Sequence, residues 1–227
     1  MLGTLPITRP ETLKDLAYKQ VKGLLCSGNQ PLDSVYSANQ LADSLGVSRT
    51  PVREALMQLT AEGFLVSLGG RGFKIRQFSL KEIKDLFDTR RLIEGYAAKR
   101  LALNPERNLE SLTEIFQRMK ECAKKQNTEG FLEADESFHL GLIRQNDNQF
   151  LLGVMENLHD CISLVGHNVI GVKDRMAEVL TEHQSILEAL KQGDPVKASE
   201  SMDRHLGTTE KYLLSALDES VERPKLK

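Results

Sequence analysis

The sequence predicts a mainly α-helical protein, with an N-terminal winged helix-turn-helix followed by a C-terminal antiparallel all-helical bundle. Three observations carry that expectation. Within residues 1–76, three stretches of helical periodicity precede two short apolar runs set around a glycine cluster. From Ser79 to about Asp218 every stretch has helical spacing, and the breaks between stretches are short. The charge also divides near residue 76, with nine Lys and Arg against six Asp and Glu before it, and 21 against 26 after it.

The elements follow in order. Residues 11–26 form a first helix, with Leu13, Leu16, Ala17, Val21, Leu24 and Leu25 near helical spacing; the turn residues 28–31 stop it. Ser37 caps a short second helix that Gly46 ends. A tight turn leads to a third helix with Ser48 or Thr50 at its N-cap, Pro51 in its first turn, and Val52, Ala55, Leu56 and Leu59 as its buried stripe. Two strands, residues 64–68 and 72–78, make a hairpin with a basic, glycine-rich tip. Helices are expected near 79–103, 105–126, 128–145, 148–169, 173–192 and 194–217. Loops this short make neighbouring helices antiparallel. The expected organisation is a head at 1–76, a linker at 77–81, a bundle at 82–218 and a tail at 219–227.

Composition excludes several classes. No apolar run is long enough to cross a membrane, and the N-terminus lacks the apolar core of a secretory signal. Cys26, Cys122 and Cys161 lie far apart without a paired framework, which fits a reducing cytoplasm.

Two short helices joined by a tight turn, with polar residues opening the second, meet the requirements for reading double-stranded DNA in the major groove. Arg49, Thr50 and Arg53 fall off the apolar stripe of the third helix, near its N-terminus. There they can reach base edges or phosphates, or form an ordinary solvated face. One small head offers little contact area, so a homodimer on a two-fold operator is expected.

The bundle carries its own signal. Asp135 and His139 sit at i and i+4 within an apolar stripe formed by Phe131, Leu132, Leu142 and Ile143. His183 and His205 interrupt the stripes of the last two helices. Buried polar groups need partners, and one divalent ion such as Zn, Ni, Co or Mn would satisfy all four; hydrogen bonds within the core would do so as well. Arg90 and Glu94 lie in the stripe of the first bundle helix, which fits either an arginine that binds a ligand carboxylate or a buried ion pair. His159 and His167 fall off their helix's stripe and read as ordinary residues. A metalloenzyme is a competing reading, but the sequence has no H-E-x-x-H and no evident free general base.

The stretch LADSLGVSRTPVREALMQLTAEGFLV, followed by the glycine-rich basic tip, closely resembles the recognition region of the GntR family of regulators. That resemblance implies DNA contacts from Ser37, Asn39, Ser48, Arg49, Thr50 and Arg53 in the major groove, and from Gly70 and Arg71 in the minor groove. Asn39 stands where the family often has Arg, so the operator is expected to differ from those of relatives. ADESFHLGLIRQNDNQFLLGVMENL and TEHQSILEALKQGDPVKASESMDRHL resemble the FCD-type ligand domain of the FadR subfamily. This second resemblance implies that Asp135, His139, His183 and His205 bind a metal. It also implies that the bundle senses a small organic acid, and that the chain acts as a repressor released by that acid.

Overall fold

The computed structural model describes residues 11–26, 34–166 and 175–222. The expected turn at 28–31, His167, the break at Gly171 and tail residues 223–227 lie outside that range. The chain forms two compact units that divide between Gln77 and Phe78.

The first unit runs α1 (Leu13–Cys26), β1 (Val35–Tyr36), α2 (Ala38–Leu45), α3 (Arg49–Ala61), β2 (Leu65–Ser67) and β3 (Phe73–Ile75). Thr12 starts α1, where its hydroxyl accepts the Asp15 amide while Asp15 takes the Thr12 amide in return. Ser37 caps α2 by accepting the Gln40 amide. Gly46 ends α2 in the left-handed region at φ 66°, where a side chain is disfavoured, so the chain re-enters helix at Arg49. Ser48 takes the N-cap position of α3 without using its side chain. Ala17, Val21 and Leu25 of α1 join Val52, Ala55, Leu56 and Leu59 of α3 in a buried core.

The sheet is antiparallel in the order β1-β3-β2. β1 was not legible beforehand, because two residues show no alternation. It pairs closely with β3 because Gly72, at φ 119°, has no Cβ; one placed there would lie 2.7 Å from the Tyr36 carbonyl oxygen. The tip of the wing, Gly69–Arg71, is a single 3₁₀ turn.

The second unit comprises α4 (Leu80–Leu103), α5 (Glu110–Lys124), α6 (Thr128–Arg144), α7 (Gln149–Gly166), α8 (Arg175–Gln192) and α9 (Pro195–Glu222). Ser79 and Glu82 form a reciprocal capping box, so α4 begins within the expected linker. Residues 105–109 are not helical as expected. The Asn104 and Asn108 side chains accept the amides of Glu106 and Glu110, and this local bonding competes with the helix. α9 continues through Glu222, into the expected tail. α4 packs against α9, α6 and α8, around a core that includes Phe87, Leu101, Phe131, Phe138, Ile186, Leu190, Met202 and Leu206.

Candidate nucleic-acid interface and metal centre

In the first unit, Ser37, Asn39, Arg49, Arg53, Gly70 and Arg71 line one cleft between α2, α3 and the wing. Thr50 joins Arg49 and Arg53 on an adjoining surface that also takes in Lys14 and Met57. Ser48 lines neither cleft and is exposed at the start of α3. Lys14, Arg49, Arg53 and Arg71 make no ion pair among the described residues, and they outnumber Glu54, the acid that lines the same surface. Such a face suits a polyanion. Lys14 and Met57 were missed by sequence reasoning, because each looks ordinary until α1 is packed beside α3.

In the second unit, α6 presents Asp135 and His139, α8 presents His183 and α9 presents His205. One ligand atom from each of the four lies within 4.8 Å of the others. His139 Nε2 is 3.1 Å from His205 Nε2, and His183 Nε2 is 3.3 Å from Asp135 Oδ1. The three imidazoles are buried, while the Asp135 side chain keeps one-fifth of its surface exposed and so opens the centre on one side.

The outer nitrogens decide what the inner ones can do. His139 Nδ1 donates to Glu94 Oε2. His183 Nδ1 donates to the Val179 carbonyl at 2.9 Å, and His205 Nδ1 donates to Glu182 Oε2 at 2.7 Å. All three rings thereby present Nδ1 to an acceptor and turn Nε2 inward. Burial, reinforced by neighbouring positive charge, pushes both His183 and His205 down to about 3, so both are neutral at physiological pH.

His139 Nε2 and His205 Nε2, 3.1 Å apart, repel unless one of them carries a proton on that nitrogen. The buried His183 Nε2 and Asp135 Oδ1 have no hydrogen-bond partner at all. A divalent cation removes both costs with bonds of about 2 Å, and a donor set of three imidazoles and one carboxylate suits a borderline metal. The residues present therefore fit such an ion.

Behind two of the rings stand buried arginines. Arg90 Nε donates to Glu94 Oε1 at 2.6 Å. Arg175 donates to Glu182 Oε1 and Oε2 at 3.0 and 3.1 Å. Burial alone would raise both carboxyls. The arginine and histidine beside each outweigh it and hold Glu94 and Glu182 below the ordinary carboxylate range. Both are ionised acceptors that fix the ring tautomers.

The sequence signal for Glu94 was its i+4 spacing from Arg90. Glu182 directly precedes His183 on α8, and α9 packs over its side and brings His205 to it. Arg175 lies seven residues, about two turns, before Glu182, a spacing that could have been read. His159 was expected to be unremarkable, yet it is 7% exposed on α7 with its Nδ1 unpartnered, 3.3 Å from Glu136 Oε1 in poor geometry.

An unpaired cationic cleft on a winged helix-turn-helix, carried on the same chain as a separate helical unit, defines a DNA-binding regulator with a second domain available for control. The chain belongs to the GntR family of bacterial regulatory proteins: residues 13–75 match that family and residues 85–208 match the FCD domain. This is a family of DNA-binding transcription regulators rather than enzymes. A Paenarthrobacter nicotinovorans protein named as a D-xylose utilization operon transcriptional repressor is 30% identical over 80% of each chain. The gluconate operon transcriptional repressor of Bacillus subtilis is 27% identical over 84% of this chain and 79% of its own. Among solved structures, a GntR regulator from Rhodococcus sp. RHA1 has a TM-score of 0.80 at 22% identity, covering 89% of this chain and 97% of its own. The metal-free FCD domain of TM0439 has a TM-score of 0.54 at 25% identity, covering 63% of this chain and 99% of its own. No helix among the described residues is long and apolar enough to cross a membrane.

Proposed function

We propose that this chain is a cytoplasmic repressor. It binds operator DNA as a homodimer and releases it when a small organic acid joins a divalent metal held by Asp135, His139, His183 and His205. The observation that carries this reading is the inward convergence of three Nε2 atoms and a carboxylate in the bundle of a DNA-binding regulator. When bound, the ion supplies Lewis acidity and open coordination positions.

Charge argues for an acid. Arg90 is paired with Glu94 and Arg175 with Glu182, while His183 and His205 are neutral. A divalent ion on Asp135 keeps positive charge of its own in a partly closed site, which favours an anionic oxygen ligand over a neutral sugar. Arg90 engages Glu94 through Nε, which leaves its terminal amino groups to grip the acid's carboxylate. The gluconate operon repressor among the relatives fits this class. In the head, Arg49, Thr50, Arg53, Asn39, Ser37 and Ser48 read the major groove, and Gly70 with Arg71 enters the minor groove.

The test is fluorescence anisotropy on a duplex selected by the purified protein from a random pool, titrated with gluconate, lactate, glucose and xylose, with zinc present and then chelated. A coupling of about 1–3 kcal/mol weakens operator binding roughly 5–150-fold for an acid, and only with metal. An acid that binds the loaded bundle yet leaves operator affinity unchanged would reduce the bundle to a dimerisation module.

A further inference from the structure

Arg49, Arg53 and Met57 fall at i, i+4 and i+8 on α3, so they share one face across two turns. The other large apolar side chains of α3, Val52, Leu56 and Leu59, are fully buried, but Met57 is 50% exposed. It lines the cleft shared with Asn39, Arg53 and the wing tip, and also the adjoining surface shared with Lys14 and Thr50. An exposed apolar side chain thus shares a face with Lys14, Arg49, Arg53 and Arg71, none of which forms an ion pair among the described residues, and with a single acid, Glu54. The cations select DNA as the occupant of this face, and the thioether must meet some part of it. Phosphates, sugars and most groove edges are polar. The apolar group that a major groove presents is the C5 methyl of thymine, and it marks one base pair. Methionine is unbranched and polarisable, well suited to cover such a group.

We propose that Met57 is a specificity-determining residue that packs on a thymine methyl in each operator half-site, beyond the positions read by Arg49 and Arg53. This rests on the DNA-binding role of α3 and is independent of any metal or effector.

The experiment uses the full chain and a duplex selected by it from a random pool, resynthesised with each thymine replaced in turn by deoxyuracil, which removes only the methyl. Wild type should lose about fourfold in affinity per half-site at one thymine, the worth of one buried methyl group. Met57→Ala should bind more weakly and be indifferent to the methyl at that thymine, while Met57→Leu keeps part of the sensitivity. The non-additivity at one position identifies the contact. Equal methyl sensitivity at every thymine in wild type and Met57→Ala would overturn the assignment. So would a loss in Met57→Ala that is uniform across unrelated duplexes, which would mark a backbone contact, or an operator without thymine in its half-sites. Loss of Arg49 or Arg53 contacts would instead abolish selection altogether, which separates failure of the interface from failure of this assignment.

Discussion

Replacing Glu182 by Gln isolates what the carboxylates behind the histidines contribute. Glu182 accepts the His205 Nδ1 proton at 2.7 Å and is held by two bonds from Arg175. The amide keeps the shape but loses the charge, and its nitrogen faces either an imidazole N–H or a guanidinium N–H. The ring is then held less firmly and its Nε2 is less basic. Changes of this kind cost roughly 10–100-fold in metal affinity, or about 1.4–2.7 kcal/mol. There is a second, separable effect. Arg175 has a fully buried side chain and would keep Thr209 at 2.8 Å, the half-exposed Glu178 at 3.3 Å and the Tyr212 ring at 4.9 Å, with the amide oxygen a weaker acceptor than the carboxylate it replaces. Weakening one charged hydrogen-bond pair lowers the stability of the metal-free protein by about 1–3 kcal/mol. The assay is zinc competition against a chromophoric chelator after stripping, with urea unfolding followed by circular dichroism in parallel. Saturating zinc should still load and refold the variant. If E182Q binds zinc as tightly as wild type, within twofold, the Glu182–His205 bond does not orient a ligand, and the rings converge for packing alone.

Lys14→Ala should weaken operator binding evenly across sequences and reduce the salt slope by about one, because it removes one phosphate contact; an unchanged slope in a salt titration takes Lys14 off the interface. His159 gives a pH signature in chelator-treated protein. Burial, then Arg90 and His139, push it down to about 3, against opposing pulls from Glu94 and Asp135; the nearby Glu136 is itself raised, chiefly by burial. The unfolded chain therefore binds the extra proton between pH 3 and the ordinary histidine value of about 6.5. Stability is full above that value and falls as the pH drops, by up to about 1.4 kcal/mol per pH unit. His159→Gln should flatten the decline between pH 6.5 and 4 by about one proton in urea titrations; parallel curves would show that His159 protonates freely in the fold.

The parts that were legible share a physical cause. Helical periodicity, caps and glycine stops gave α2 and α3 nearly to the residue, because Ser37 and Gly46 act locally. The four converging ligand residues could be read because each breaks an apolar stripe, and burial makes such a break costly. What stayed hidden depends on packing between elements. β1 exists only because Gly72 lets β3 approach it. Lys14 joins the cationic surface of α3 only because α1 lies beside it. Glu182 and Arg175 turn inward only because α9 covers the side of α8 they occupy. His159 illustrates the weakness of stripe counting: left off the stripe of α7, it is buried, while the apolar Val154 on the same helix is 48% exposed.

The carboxylates behind the rings bear on the hydrolytic alternative. Metal-assisted hydrolysis needs a carboxylate or imidazole free to take a proton from bound water. Here Glu94 accepts from Arg90 and His139, and Glu182 accepts from Arg175 and His205. Both are held ionised by arginine, so neither gains anything by accepting a proton near neutral pH. The three imidazoles present Nδ1 outward to acceptors and turn Nε2 inward. Asp135 faces His183 and His139 from α6. Glu94 and Glu182 are thus engaged in fixing the rings, which under the proposed function serves the reversible binding of an anion at the ion. The four ligand residues also lie on three different helices, and Glu94 ties the set to α4, the first helix after the division between the two units. Under the proposed function, a ligand that alters the position of His139 acts on α4 through one buried hydrogen bond, and that contact would give effector binding a physical route out of the bundle core.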